Sequence, residues 1–308
     1  MPGLGEIWPF LIQGLAFGAM YAMTGIGLVV LYRTTGVVNL AFGAIGAMAA
    51  HIAWTLMGGS LTRPIPVVSG VRILAYPAIV LLSALLTLLY GLWIAPKLAR
   101  RDPLVKALGM LGAALFLQGL MKKGWDSSKA RGILFPQQTF KLGNTVVSTT
   151  QILALALSVV VVVAVTTFLN RTATGTAMRA IANDRDVSSL LGVPVRRVET
   201  LAWFGSGLLC GVVFLLLPPL FKSLDQGTMT YFVISALAGA VVGQFRSLWV
   251  TFWASLGIGV LESALTPFKN SLHFMADYRK LVPYVVAVVA ILWISRRRTV
   301  VLAGREMQ

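Results

Sequence analysis

The amino-acid sequence predicts an all-α fold, a bundle of transmembrane helices that forms one domain over residues 1–308. Hydrophobic residues make up 57% of the chain and charged residues only 12%, and the mean hydropathy is +0.82. Such a chain is too apolar for a soluble domain and too long for a simple membrane anchor. Backbone amides inside hydrocarbon must be satisfied within the segment, and the apolar runs lack the alternation of barrel strands. The sequence therefore predicts a multi-pass helical protein of the cell membrane.

The spans follow from the lengths of the apolar runs. A membrane-spanning helix needs about 20 predominantly apolar residues. We count nine candidate runs, within an expected range of eight to ten, and the fourth and ninth are short. The runs cover residues 7–32, 39–57, 74–96, 106–121, 152–169, 200–220, 228–245, 247–268 and 281–295.

Glycines spaced four residues apart predict how some of these helices pack. Small residues at this spacing let two helix backbones approach closely inside a membrane. The pattern predicts a tightly packed bundle and carries no information about a substrate. The pairs are Gly14 with Gly18, Gly207 with Gly211, and Gly239 with Gly243.

One long polar stretch, residues 170–197, separates two apolar runs in the second half of the chain. This polar insert holds five arginines and two aspartates. Met178, Ile181 and Ala182 fall on one helical face, and that apolar stripe is narrow. The insert is therefore either an amphipathic helix lying on the membrane surface or a short helix that seats in a groove of a partner protein.

The second half of the polar insert carries the signals of another short helix. Asp184 or Asp186 can cap its first turn, which leads to Leu190 and Leu191, and Gly192 can end it. If a partner binds here, its motion passes directly into the fifth and sixth spans, because the insert joins them. We interpret this segment as a docking site for a motor subunit.

The basic residues predict an orientation. The net charge of +16 lies in loops beside the spans, where anionic lipid headgroups explain it without nucleic acid. An external amino terminus places more Lys and Arg inside than outside, and it puts residues 170–197 in the cytoplasm. Residues 122–149 then form an external loop, with a hairpin predicted around residues 143–144.

Two polar residues stand out in the apolar runs. Asn39 begins the second run after a connection too short for a normal loop, which leaves two alternatives, a broken span or an ordinary one. Asn39 can either cap a helix at the membrane interface or present polar groups to cargo from a helix that begins inside the membrane. Glu262 is the one acid clearly inside a span. It either reaches the interface or bonds between helices, or it lines a transport path.

Three sequence patterns, in order along the chain, resemble permeases of branched-chain amino acid ABC importers. The first is Gly14-Leu-x-x-Gly-x-x-Tyr-Ala-x-x-x-x-Gly27 followed by Gly36-Val-Val-Asn39. The second, in the polar insert, matches the family's cytoplasmic motif at Gly175, Arg179, Ala180, Asn183, Asp184, Leu190, Leu191, Gly192 and Val193. The third joins Ala236-Leu-Ala-Gly-Ala and Gly243-x-Phe-Arg-Ser-Leu248 with Gly257-x-Gly-x-x-Glu262.

The resemblance implies a transport role and its partners. Such a permease pairs with a second, homologous permease, two ATP-binding cassette ATPases and an extracytoplasmic solute-binding protein. The residues implied in ATPase coupling are Gly175, Arg179, Ala180, Asn183, Asp184, Asp186, Leu190, Leu191 and Gly192. Those implied in the translocation path for branched-chain amino acids or a related small solute are Tyr21, Asn39, Phe42, Gly43 and Glu262.

The chain departs from the family pattern next to Asn39. The family commonly reads Asn-Phe-Ala-His-Gly with an acid next, whereas this chain reads Asn39-Leu-Ala-Phe-Gly-Ala44. Two polar groups are therefore missing where the family's path is expected, which bears on the identity of the cargo.

Other classes of protein fit less well. The chain has no Gly-x-x-x-x-Gly-Lys-Ser/Thr loop for ATP phosphates, so the energy of an importer must come from another chain. We see no metal cluster, nucleophile elbow or paired carboxylates, which argues against an enzyme and against a metal or cofactor. The alternative function is a secondary transporter or channel that works alone on a small solute.

Overall fold

The computed structural model describes residues 4–56, 69–98, 101–125, 139–142, 145–221, 225–266 and 281–306. These residues are helical apart from short connections and one small hairpin, which confirms the predicted fold class. The elements are α1 (Leu4–Thr35), α2 (Phe42–Leu56), α3 (Ser69–Trp93), α4 (Ala95–Leu98), α5 (Pro103–Gly124), β1 (Thr139–Leu142), β2 (Thr145–Ser148), α6 (Thr149–Arg171), α7 (Ala173–Asn183), α8 (Arg185–Leu190), α9 (Val195–Phe221), α10 (Gln226–Val242), α11 (Leu248–Ala264) and α12 (Val282–Glu306).

Each predicted span coincides with one helix. Helices α1, α3, α5, α6 and α9 are long and apolar enough to cross a membrane, whereas α2, α10, α11 and the apolar part of α12 are shorter. The prediction that the fourth span is short is wrong. Helix α5 has 22 residues because Pro103, whose fixed φ suits a first helical turn, starts it before the predicted run.

Helix α1 lies at the centre of the bundle. Its apolar window is 83% buried, whereas that of α5 is 22% buried, so α5 lies at the periphery. Helices α6, α9, α10 and α11 all contact α1. The helix that comes first in the sequence is thus the one on which later helices pack.

The closest packing joins α1 to α11, and the predicted glycine pair Gly14 and Gly18 makes it possible. A Cβ atom at Gly18 would lie 2.7 Å from the Cα atom of Leu256, and one at Gly14 would lie 2.7 Å from that of Val260. Gly259 meets the Gly18 backbone from the other side. The two backbones therefore touch, and the helices run antiparallel.

The other two predicted pairs also pack against backbones or small side chains. A Cβ atom at Gly207 of α9 would lie 2.6 Å from the Cα atom of Ala84 in α3, and Gly211 approaches Val80 of the same helix. Gly239 and Gly243 face α11 at Ser255 and Thr251. All three predicted small-residue contacts are confirmed.

The ends of α1, α3, α6 and α9 that adjoin α7 and α8 lie at one end of the bundle, which we call the insert end. Here Arg33 donates a hydrogen bond to the carbonyl oxygen of Arg246, with an Nη1 to O distance of 3.2 Å. The rings of Tyr32 and Phe245 are 4.7 Å apart. The structure therefore brings together basic residues that the sequence placed on one side of the membrane.

The opposite end carries the hairpin, and we call it the hairpin end. Strands β1 and β2 pair antiparallel, with Thr139 opposite Ser148, which confirms the hairpin predicted around residues 143–144. The connection between the two helices is shorter than the predicted external loop 122–149, because α5 continues to Gly124 and α6 begins at Thr149. Residues 126–138 of that loop lie outside the described ranges.

We expect Gly18→Leu to separate α1 from α11. The added side chain meets backbone atoms that cannot move aside, and overpacking of this kind costs about 1–3 kcal/mol. The free energy of unfolding of the purified chain in detergent, followed by circular dichroism, measures the effect. Gly257→Leu is the matched control, because a Cβ atom there meets nothing within 4 Å. Equal destabilisation by the two variants would contradict the packing described above.

Candidate functional site

The polar insert folds into two short helices with well-defined caps. Thr172 caps α7, and its Oγ1 accepts a hydrogen bond from the backbone N–H of Gly175 at 2.9 Å. Asp184 caps α8, and its Oδ1 accepts from the N–H groups of Asp186 and Val187, both at 2.9 Å. The cap predicted at Asp184 or Asp186 is thus provided by Asp184, and Asp186 occupies the first turn.

The apolar face of α7 packs on the bundle, as its sequence pattern predicts. Met178 and Ile181 are buried in the hydrophobic core, and Gly175 lies against the backbone of Phe168 and Leu169. Helix α7 contacts α1, α6 and α9. It is therefore a docked part of the protein rather than a helix lying alone on a membrane surface.

Arg179 is directed toward the chain itself. Its Nη1 donates to the Oδ1 of Asn170 at 3.2 Å, and its Nη2 donates to the Oγ1 of Thr176 at 3.4 Å. Arg179 also lines a small crevice together with Arg33 and Thr34 of α1. This arginine, which the family resemblance implies in coupling, thus braces α7 against the end of α6.

The most exposed apolar side chains of the insert lie at the end of α8. Leu190 is 86% exposed and Leu191 is 79% exposed. Gly192 follows with φ of +83°, a left-handed conformation that a side chain disfavours and that ends the helix. We call Val187, Leu190 and Leu191 the apolar knob, because they project together at the insert end.

An ion pair ties the short helix α8 to α9. The Nε of Arg185 lies 2.9 Å from the Oε1 of Glu199, and the Glu199 side chain is 20% exposed. Together with the Asp184 cap, this contact fixes the position of the apolar knob. Sequence reasoning missed it, because a pair 14 residues apart on two helices has no local signature.

The other residues of the predicted coupling set surround the knob. Ala180 is half-buried on α7, while Asn183, Asp184 and Asp186 are exposed between α7 and the knob. The structure therefore brings this predicted set together at one surface, with Arg179 and Gly175 turned inward.

The predicted path residues Tyr21 and Glu262 meet inside the bundle. The Tyr21 hydroxyl donates to the Oε2 of Glu262 at 2.8 Å, which joins the centre of α1 to the end of α11. The Tyr21 ring stacks on Phe232 of α10 with ring centroids 5.0 Å apart. The sequence left open whether Glu262 bonds to another helix, and the structure shows that it does.

Asn39 lies inside the protein, just before α2. It is fully buried, and its side-chain amide has no hydrogen-bond partner among the described residues. Its carbonyl oxygen, not its side chain, accepts from the N–H of Phe42 at 3.3 Å. Asn39 is therefore not an ordinary interfacial cap. Helix α2, with 15 residues or about 22 Å, begins next to this buried side chain. That the second span is broken within the membrane stays a prediction.

Phe42 and Gly43 sit where α1, α2, α9 and α10 meet. The Cys210 thiol donates to the Phe42 carbonyl oxygen at 3.1 Å, and the Phe42 ring lies against Gly27. A Cβ atom at Gly43 would lie 2.7 Å from the Met229 carbonyl oxygen. Sequence reasoning missed the α10 side of this region, because its residues look like ordinary core residues in an apolar helix.

The predicted path residues form two neighbouring groups along α10. Tyr21, which bonds Glu262, contacts it at Phe232, and Gly43 contacts it at Met229 and Thr230. Within the described ranges, no three His, Cys, Asp or Glu side chains are grouped as a metal site would need. The predicted path residues contribute a carboxylate, a phenol and an amide, which can bind a small polar solute by hydrogen bonds and charge.

Fold and site together define a class of protein. A multi-pass helical bundle with buried polar groups, and with an apolar knob on a capped segment between two spans, is the architecture of a transporter's membrane subunit.

Comparison with known proteins gives the family. The model of the family described as branched-chain amino acid transport system / permease component matches residues 10–291. The high-affinity branched-chain amino acid transport system permease protein BraD of Pseudomonas aeruginosa is 28% identical over 279 residues, which cover 85% of this chain and 87% of BraD. The corresponding permease protein LivH of Escherichia coli is 23% identical over 296 residues, or 92% of each chain. No solved structure matches significantly.

The chain belongs to this permease family. It is a multi-pass permease subunit of the ABC transporter class in the cell membrane, and its relatives are transport components rather than enzymes. A permease component works with other subunits of its transport system. The resemblance stated from the sequence motifs is thereby confirmed.

We expect Asp184→Ala to loosen α8 and the apolar knob. Losing an N-cap of this kind costs about 1 kcal/mol, so the amides of Asp186 and Val187 should exchange hydrogen several-fold faster. Hydrogen exchange of the purified chain, read by mass spectrometry, measures this. Asp184→Asn is the control, because asparagine caps equally well. Unchanged exchange in Asp184→Ala would show that the cap does not hold this helix.

Proposed function

We propose that this permease forms the translocation path of an ATP-driven importer for branched-chain amino acids or a related small organic solute. It pairs with a second, homologous permease, two cytoplasmic ATPases and an extracytoplasmic solute-binding protein. The observation that carries the proposal is the apolar knob, whose leucines are 86% and 79% exposed although the segment that bears them is capped and ion-paired.

The knob is suited to fit a groove in an ATPase. Fully burying a leucine side chain favours binding by about 1.5–3 kcal/mol, and a helix held in place before binding loses little entropy. The family name and the names of the relatives describe transport systems, which supports a partner at this surface. With the amino terminus outside, the knob faces the cytoplasm, where ATP is available.

Motion of the knob has a direct route into the spans. Helix α7 continues from α6, α8 leads into α9, and the Arg185–Glu199 pair ties α8 to α9. Arg179 and Met178 transmit displacement to α1 and α6. ATP-driven closure of the ATPases would in this way rock the spans between outward-open and inward-open arrangements.

The buried polar residues are suited to an amino-acid cargo. An unpaired buried amide such as that of Asn39 costs about 1–3 kcal/mol, a cost that is offset when the path opens and cargo or water reaches it. The Glu262 carboxylate can bind the ammonium group of an amino acid while the Tyr21 hydroxyl holds it in place. Phe232 supplies an apolar wall beside that pair. Phe42 and Ala44, which replace polar residues of the family pattern, are fully buried, so they favour an apolar side chain in the cargo.

The external surface is proposed to receive the binding protein. The hairpin β1–β2 lies at the opposite end from the knob and belongs to the predicted external loop 122–149. Val146 on this hairpin is 57% exposed, although it is apolar. The two proposed docking surfaces are therefore separated by the full length of the bundle.

We expect Leu190→Glu to release the ATPases. A charge in an apolar groove should weaken their binding by about 10-fold or more, because the burial of one leucine is lost and a carboxylate must be desolvated. Co-purification of the ATPases with the tagged permease measures this. The side chain is exposed, so the variant should reach the membrane in normal amounts.

The control for this variant is Val146→Glu, the same type of change at the hairpin end. It should leave ATPase co-purification intact and reduce stimulation of ATP hydrolysis by the binding protein. Normal ATPase binding and transport in Leu190→Glu would overturn the coupling proposal, and so would flux carried by the purified chain alone, which is the behaviour of a secondary transporter or channel.

We expect Tyr21→Phe to impair transport while the complex assembles normally. The hydroxyl is hydrogen-bonded to a carboxylate, and such bonds contribute about 1.5–3 kcal/mol, so uptake should fall about 10-fold or more. Uptake by the reconstituted complex in proteoliposomes measures this. Tyr231→Phe on the exposed face of α10 is the matched control. A Tyr21→Phe complex that transports normally would exclude this pair from the path.

A further inference from the structure

A basic cavity opens at the insert end, outside the proposed path and beside the apolar knob. It has a volume of about 680 Å³ and lies between the ends of α1, α3 and α9, the short helices α4 and α8, and the start of α5. Its polar lining is mostly cationic. The charged residues that line it are Lys97, Arg101, Arg185, Arg196 and Glu199.

Within the described ranges, the acidic residue that lines this cavity neutralises only part of its positive charge. Glu199 is paired with Arg185 at 2.9 Å. Lys97, Arg101 and Arg196 have no ion-pair partner among the described residues, and all three are exposed. Asp102 follows Arg101 in the sequence but does not line the cavity. Three cations therefore converge on one concave space, which favours an anion with several oxygen acceptors, such as a phosphate.

An apolar groove continues from the cavity along the outside of the bundle. It has a volume of about 810 Å³ and shares Leu92, Arg196 and Thr200 with the cavity. Leu92 and Leu201, which line this groove, are exposed side chains on apolar spans. A ligand that fills both spaces must therefore combine an anionic head with an apolar tail.

The level of the cavity in the membrane also points to a lipid. Trp93 ends α3 beside the cavity and is 73% exposed, and exposed tryptophan at the end of a span marks the headgroup level of a bilayer. Basic pockets between transmembrane helices at this level are suited to phosphate headgroups. We infer that the cavity binds the phosphate of an anionic phospholipid, with an acyl chain in the groove lined by Leu92 and Leu201.

The site has a structural consequence for the polar insert. Arg185 and Glu199, which hold α8 on α9, form part of the cavity wall, so a bound lipid touches the contact that positions the apolar knob. The lipid therefore stabilises the insert end. This inference rests on the cavity and groove, and it stands whether or not the knob binds an ATPase.

Binding to the purified full-length chain in detergent tests the site. The probes are dioleoyl phosphatidylglycerol, dioleoyl phosphatidylcholine and inorganic phosphate, and retained molecules are counted by native mass spectrometry over a titration. We expect the phosphatidylglycerol to bind selectively, and inorganic phosphate not to displace it at equal concentration. Displacement by inorganic phosphate would show a simple phosphate site, and equal binding of phosphatidylcholine would show no anion selectivity; either result overturns the inference.

Charge-matched variants locate the binding. Combining Lys97→Gln, Arg101→Gln and Arg196→Gln should weaken phosphatidylglycerol binding on the order of a hundredfold, since each basic residue contributes a factor of about five. Combining Lys122→Gln, Lys123→Gln and Arg171→Gln removes the same charge at exposed positions outside the cavity, and it should change binding by less than about threefold. Equal weakening by the two sets would overturn the site.

A charge-preserving set and a single groove variant distinguish a loss of binding from a folding defect. The charge-preserving set Lys97→Arg, Arg101→Lys and Arg196→Lys should restore binding, while Leu201→Gln in the groove should weaken it about fivefold or more without changing the basic cluster. Wild-type binding in both Leu201→Gln and the neutralised set would exclude a lipid here. If the neutralised set kept its lipid but lost a protein partner, the cavity would be a protein contact, and the inference would fail.

Discussion

Direct backbone contact between α1 and α11 is the constraint on which the rest of this structure depends. Inside a membrane, helices gain little from the hydrophobic effect against one another, so van der Waals packing must hold them together. Gly14, Gly18 and Gly259 permit that packing where the two backbones touch. The antiparallel alignment they impose also brings Glu262 of α11 to Tyr21 of α1. A packing requirement thus positions the buried polar pair.

The insert end combines rigidity with exposure. Helix α7 is docked through Met178 and braced by Arg179, whereas the leucines of α8 remain exposed on a capped and ion-paired turn. Apolar side chains exposed together on a rigid support are suited to an interaction, and that support distinguishes this site from a frayed loop. The Arg185–Glu199 pair, which ties α8 to α9, also lines the basic cavity. The proposed lipid and the proposed protein partner would therefore act on the same short helix.

The interior is polar at a few positions and apolar elsewhere. Among the predicted path residues, Tyr21, Glu262 and Asn39 supply the polar groups, beside buried hydroxyls such as those of Thr24, Thr230 and Ser255. The Phe232 ring lies against Tyr21, and Phe17 and Phe232 are both close to Phe221. The apolar residues that replace the family's polar pair after Asn39 are completely buried. Because the side chains of Phe42 and Ala44 are apolar, their burial leaves no side-chain polar atom without a partner at these two positions. In the proposed path, Glu262 and Asn39 are then the polar groups that would recognise a charged solute.

The sequence by itself determined the fold class, the order of the spans, the glycine contacts and the helical caps of the polar insert. These features depend on composition, on spacing of three or four residues, or on one side chain bonding to its own neighbours, as Asp184 does. Only the tertiary structure decided that Tyr21 meets Glu262, 241 residues away, and that Lys97, Arg101 and Arg196 share one cavity. It also turned Arg179 inward and left Leu190 and Leu191 outside. The physical reason is that a uniformly apolar helix carries almost no signal for its rotation or depth, so contacts between helices are set by how the whole bundle packs.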